Sequence, residues 1–250
     1  MNQSVEYGQV NFNLPHDVVK LPSKGIFYTP KKESLKVGYL TANDENILMS
    51  QNTSKEGLVN TLLRNKIYEP GFNIDQLLTV DVQAILLFLR NTAFGPEYNL
   101  SILDPKTDKY FDVTIILDEV DYLPIKNHPD SDGLFNYTLP KSNKNVKVKL
   151  LNIGDERKIE SLLDAYPKGM VAPIVTKRLE AQILELDGST DRGTIGTFIT
   201  NMPISDSKDL KKFINDCEPK LDLQRKVIAP SGEEVTVNVS FGVEFFRPFF

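Results

Sequence analysis

The sequence predicts an α+β protein in which helical segments alternate with three β-hairpins, the strands mostly antiparallel. Three observations carry this. Apolar residues recur at helical spacing in several windows. Elsewhere, runs rich in β-branched residues alternate with polar ones. Each pair of such runs is joined by a short turn bearing Pro, Asn or Gly.

Taken in order, residues 1–20 are polar and irregular and read as an N-terminal arm. Leu21-Pro22-Ser23-Lys24-Gly25 is a turn, because Pro fixes φ and Gly permits positive φ. Lys36–Leu40 is a strand. Thr41 is placed to cap a helix running to about Ser50, with Asp44 and Glu45 in its first turn. Ser54 is placed to cap a second, with Leu58, Leu62, Leu63 and Ile67 on one face. Pro70-Gly71 ends it. A third helix starts near Thr79, and Val82, Ile85, Leu86, Leu87 and Leu89 cover so much of its circumference that it must be buried. Asn91–Pro96 closes it.

The period then changes. Asn99–Leu103 and Tyr110–Leu117 form a hairpin about Asp104–Asp108. Asn127–Gly133 is the loosest linker and separates two subdomains, 21–126 and 134–250. A second hairpin pairs Phe135–Leu139 with Val146–Leu151, where Val146-Lys147-Val148-Lys149-Leu150 alternates strictly, one face buried and one solvated. Helices return over Asp155–Tyr166, Pro173–Leu186, Asp191–Asn201 and Ser207–Cys217, the last capped by Ser207 or Asp206. Leu223–Ile228 and Val235–Phe241 form the third hairpin about Ala229–Glu233. The first and third hairpins echo one another, each a Pro-bearing turn feeding an alternating strand, a weak sign of a pseudo-repeat.

Composition narrows the function classes. The formal charge of −5 argues against a broad nucleic-acid surface. Cys217 is the one cysteine, so neither an intrachain disulfide nor a multi-thiolate metal site is expected, and a reduced, half-buried thiol is. The longest apolar run, Ala84–Leu89, falls far short of the ~20 residues that span a membrane. The opening residues lack a basic stretch followed by an apolar run, so no secretory signal is expected and a cytoplasmic site is.

Catalytic patterns are sparse. Asp191-Arg192-Gly193-Thr194-Ile195-Gly196 lacks the spacing of a phosphate-binding loop and reads as the start of a helix. His16 and His128, the two histidines, sit in polar loops outside any ligand pattern. Adjacent carboxylates at Asp44/Glu45, Asp118/Glu119, Asp155/Glu156 and Glu233/Glu234 point apart on a helix or strand and suit helix starts better than acid–base work. No catalytic, cofactor or metal residue is assigned, and a small-molecule substrate is not expected. The sequence ends on Phe245-Phe246-Arg247-Pro248-Phe249-Phe250, an apolar payload that belongs in a core or against a partner.

Four segments together resemble the baseplate hub and baseplate hub assembly family of T-even-type bacteriophages. They are Leu21–Tyr28 leading to the Lys36–Leu40 strand and Asp44-Glu45-Asn46-Ile47-Leu48; Leu86–Asn91 followed by Phe94–Tyr98; Leu139–Ser142 with Val146–Leu151 and Gly154–Glu156; and Phe241–Pro248. The resemblance implies a late, non-enzymatic protein of tail assembly in the host cytoplasm. Its partners would be other baseplate hub proteins, and it would act as an assembly factor or chaperone for the hub. The alternatives are a permanent baseplate subunit in the virion tail and, separately, a hydrolase using a carboxylate pair. Candidate partner contacts are Ile26, Phe27 and Tyr28 at the N-terminal turn and Phe245, Phe246, Arg247, Phe249 and Phe250 at the C-terminal end. Some relatives carry Cys pairs at the hairpin turns that Asp104–Lys109 and Ala229–Glu233 occupy here, so these two hairpins are expected to hold by packing, without zinc.

Overall fold

The computed structural model describes residues 15–49, 55–118, 120–123, 125–167, 170–241 and 243–246. It is an α+β fold: among the described residues, helices pack beside several small antiparallel sheets of two or three strands. No helix among them is long and apolar enough to cross a membrane.

The chain enters as β1 (His16–Lys20), which pairs antiparallel with β2 (Ser34–Gly38). This corrects the expected arm, whose last residues are sheet; His16 opens that strand, with its ring near Tyr68, and does not sit in a loop. Thr41 caps α1 (Ala42–Leu48) through a reciprocal box with Asp44, as the acidic first turn predicts. Asp44 is buried against Lys66, the last residue of α2 (Lys55–Lys66), so the same carboxylate caps one helix and neutralises the end of the next. The Ser54 cap lies outside the described residues. A 3-10 turn, Ile74–Gln76, leads into α3 (Thr79–Phe94), which is buried over most of its circumference. Gly95, at φ +79°, ends it.

β3 (Glu97–Asp104) and β4 (Lys109–Ile116) make the first hairpin, in the register Leu103↔Tyr110 and Tyr98↔Ile115. After β5 (Tyr122–Leu123), β6 (Phe135–Thr138) and β7 (Asn145–Val148) make the second. α4 (Ile153–Asp164), boxed by Asn152 and Asp155, turns back into α5 (Ile174–Gln182). Here the structure departs from the sequence reading. The expected helix Pro173–Leu186 stops at Gln182, and β8 (Ile183–Leu186) adds a third strand beside β7. α6 (Arg192–Thr200) is capped by Asp191. α7 (Ile204–Cys217) begins before the expected Ser207 because the buried Asp206 carboxylate accepts from the Lys141 and Ser142 amides at 2.7 and 2.9 Å instead of capping. β9 (Lys220–Leu221) pairs with β5, and β10 (Gln224–Ile228) with β11 (Glu234–Asn238).

Buried side chains from both expected subdomains form one cluster, from Val19 through Leu35, Leu63, Ile85 and Leu89 to Val148, Ile183, Ile214, Val237 and Phe245. Several contacts cross between the two spans. Ile153 N–H donates to Leu77 C=O at 2.9 Å, Arg157 pairs with Asp75 at 2.8 Å, and Phe27 stacks on Phe135. Cys217 lies fully inside this core, where burial pushes its thiol up to about 11. It is inert there, and more deeply placed than the half-buried thiol expected.

The tips of the first and third hairpins meet. Asp104, buried at the end of β3, accepts from the Ser231 hydroxyl at 2.7 Å and the Ser231 amide at 3.2 Å, and from the Lys106 amide of its own turn at 3.0 Å. The two turns singled out in the sequence are thus tied by a carboxylate and a serine.

Candidate interaction surfaces

The N-terminal turn is locked to the start of α3. Gly25 has φ +63°, and a Cβ there would fall 1.8 Å from the Lys32 carbonyl oxygen, so only glycine lets the backbone pass. The turn presents Ser23 and Tyr28 inward to Asp81, which is fully buried in the first turn of α3. Ser23 donates through its amide at 2.9 Å and its hydroxyl at 2.5 Å, and Tyr28 donates through its hydroxyl while accepting from Leu78 N–H at 3.0 Å. Burial raises the Asp81 carboxyl above the ordinary aspartate range, the three donors offsetting only part of it. Burial, and then Asp81 itself, raise the Tyr28 hydroxyl. Tyr28 is therefore a core residue and not a partner contact. Ile26 and Phe27 remain half-buried, and of the expected contacts among the described residues they alone keep surface in solvent.

Phe245 and Phe246 of the C-terminal segment are likewise core. Phe245 and Phe246 are buried, and Phe245 packs on Tyr98, Phe241 and Phe246 with ring centroids 4.7–5.6 Å apart. The cation that stacks here is Arg90. Its guanidinium lies 5.3 Å from the Tyr98 ring centroid and 5.9 Å from that of Phe245, and donates to the carbonyls of Gly95 and Glu97. Arg247, Phe249 and Phe250 lie outside the described residues.

A surface that the sequence reading missed lies at the elbow between α4 and α5. Leu162, Tyr166, Met170, Val171, Ile174 and Val175 are all exposed, Val171 at 95% and Met170 at 64%. Leu162 lies on the last turn of α4 and Tyr166 two residues past its end, while Ile174 and Val175 open α5. The signal was present in the sequence. Met170 and Val171 sit between Pro167 and Pro173 and are themselves not helical, so a periodic stripe cannot bury them.

A groove of about 290 Å³ runs between the start of α3, Leu150–Leu151 and Glu218–Leu223. Two carboxylates line it, in unlike settings. Glu156 is held by a two-bond fork from Arg178 at 2.5 and 2.6 Å. Glu218 is raised by desolvation, and Glu156 pushes it further in the same direction. The adjacent pairs weighed in the sequence are otherwise engaged: Asp44 with Lys66, Asp155 with Lys149 and its cap, Glu234 with Lys226. Glu119 lies outside the described residues, among which no group of three or more His, Cys, Asp or Glu side chains could hold a metal ion.

No protein-family model matches the chain, no curated protein matches it, and no solved structure matches its fold.

Proposed function

We propose that the chain works through protein–protein contacts as an assembly protein of a contractile-tail baseplate hub, acting in the host cytoplasm on other hub proteins. The observation that carries the contact reading is the elbow. A run of exposed apolar side chains on a folded body is the usual mark of a surface that a partner covers. The four-segment resemblance to the hub family supplies the setting. The test is a pull-down of hub components with the tagged protein, wild type against Val171→Asp/Ile174→Asp. Both positions are exposed, so the fold survives the change. The reading expects hub proteins to be captured by the wild type and released by the variant; capture of none by the wild type sinks it. Mass spectrometry of purified virions then separates an assembly factor, absent from the particle, from a permanent subunit present at fixed stoichiometry.

A second reading has one observation in its favour, the convergence of Glu156 and Glu218 on one groove. Two carboxylates in unlike settings on one groove, Glu156 forked by Arg178 and Glu218 raised by desolvation, are the arrangement that acid–base hydrolysis uses. If this reading holds, the purified protein hydrolyses a member of a glycoside, ester and amide substrate panel and Glu218→Gln abolishes that activity; if the wild type hydrolyses none, it fails.

A further inference from the structure

We infer that the outer edge of β4 is a strand-addition site, whose occupant is an extended segment of an unlike protein carrying a lysine or arginine opposite Asp112. This goes beyond the elbow: the edge lies on a different element and does not depend on what the elbow binds.

The ladder fixes which way the backbone faces. β3 and β4 pair in the register Ser101↔Asp112, and the bond from Leu117 N–H to Pro96 C=O at 2.9 Å continues that register by one pair. Bonded positions alternate along an antiparallel pair, so Phe111, Val113 and Ile115 turn their amides and carbonyls to β3. Those of Tyr110, Asp112, Thr114 and Ile116 point away from it. The sheet has two strands, and among the described residues no backbone group pairs with these four from outside. A row of alternating donors and acceptors is matched by one partner geometry, another strand.

Edges are ordinarily blunted by shortness, charge, proline or a cover, and the other edges here are. β2 is covered by Ile67 and Tyr68, whose amide donates to Lys36 C=O at 2.8 Å. β1 has five residues, among them His16, Asp17 and Lys20. β6 and β8 have four each, and β10 and β11 five each with Lys226 paired to Glu234 across them. On β3 the Glu97 carbonyl is taken by Arg90. β4 has eight residues, neither proline nor bulge, and Asp112 as the sole charge on its outward positions. Tyr110 is 74% exposed at one end of that edge and Ile116 47% at the other.

Asp112 selects the kind of strand. It is exposed and meets no cation among the described residues. A strand laid antiparallel on β4 sets opposite Asp112 a residue whose own amide and carbonyl face β4. If that strand were the β4 of a second copy, the residue would be Tyr110, Asp112, Thr114 or Ile116, none of them a cation, and Lys109 would fall on the other face. A copy thus leaves the carboxylate unanswered, and repels it in the register that sets Asp112 against itself. An unlike strand answers it with a lysine or arginine there and with β-branched or aromatic residues opposite Tyr110 and Ile116.

Amide NMR of the full chain tests this by titration with a blocked synthetic peptide of alternating valine and threonine with one central lysine. A second peptide has glutamate in place of the lysine. The expected result is slowed hydrogen exchange at the amides of Tyr110, Asp112, Thr114 and Ile116, with those of Lys226 and Thr236 on the third hairpin unchanged. The glutamate peptide binds about threefold to fivefold more weakly. Thr114→Pro removes an outward N–H and spares the β3 ladder, and weakens binding on the order of tenfold. Asp112→Lys, at an exposed position, reverses the preference between the two peptides, and circular dichroism shows that both variants are folded. No protection of these amides at millimolar lysine peptide overturns the inference, as does a preference that Asp112→Lys leaves in place. Protection that grows with the concentration of the chain alone assigns the edge to a second copy and overturns it as well.

Discussion

Asp81 and Asp44 are both buried carboxylates, and they respond to pH in opposite senses. Asp81 has three donors and no cation beside it, and burial raises its carboxyl. The folded chain therefore binds this proton more tightly than the unfolded one. Asp81 favours the fold below the unfolded value of about 3.9, and that contribution is lost as pH rises through the higher folded value. For Asp44, burial opposes ionisation, but bonds from Lys66 and Thr41 outweigh it and pull the group low. Its contribution is present above about 3.9 and disappears as pH falls through the folded value. Urea midpoints taken between about pH 3 and 8 check both signs: Asp44→Asn flattens the loss of stability on the acid side, while Asp81→Asn removes a decline that sets in as pH rises above the ordinary aspartate range. Truncating Asp81 to Ala strands the Ser23 amide, the Ser23 hydroxyl and the Tyr28 hydroxyl, and is expected to cost about 3 kcal/mol or more, read from the same denaturation curves. The Thr41–Asp44 helix start was legible in the sequence, but the Asp81 cluster was not. Leu21–Gly25 announced a turn through its Pro and Gly, but that Ser23 and Tyr28 face an aspartate some 50 positions on depends on how the turn docks, a long-range fact with no local signature.

Secondary structure was most legible where one period ran undisturbed between clear stops. α3 begins at Thr79 as its apolar circumference predicts, and β3–β4 pair about the Asp104 turn. Val146–Leu150 keeps the alternation of burial that its sequence spells out. Reading failed where a distant group made the decision. Ile183–Leu186 continues the apolar spacing of α5, yet it becomes strand because β7 has an open edge that takes it up. α7 starts early because Asp206, a good cap by local chemistry, is spent on the Lys141–Ser142 turn. The joined hairpin tips are a third case, visible in sequence as two similar turns but not as a contact. Ser231→Ala removes one bond to Asp104 and should cost about 1 kcal/mol. Hydrogen exchange would show it locally, as faster exchange at the amides of Lys106, Thr107 and Ser231 with the α3 amides unchanged.

For the molecule as a whole, Phe245 and Phe246 of the C-terminal segment matter as core. Phe245 closes a ring cluster over Tyr98 and Arg90, residues far earlier in the chain. Phe245→Ala is expected to cost about 3–5 kcal/mol, a sizeable share of a typical domain's stability, and to lower the melting temperature without changing capture by any partner that docks elsewhere. The candidate contacts divide by the same logic. A dense aromatic sequence signals burial of some kind, and composition alone does not say whether by the chain itself or by another. The elbow went unread because Met170 and Val171 lie outside both helices, where neither helical nor strand periodicity calls attention to them.

The place of Phe245 and Phe246 bears on how the polypeptide is made. Synthesis runs from the N-terminus, and Phe245, which packs beside Arg90 and Tyr98, leaves the ribosome long after them. Until it emerges, the far end of α3 has a cation and an aromatic face open to water. Emergence of Phe245, and not translation of α3, is then the step at which this core can close, and a nascent chain stalled short of that residue would sit on the ribosome as a target for chaperones and proteases.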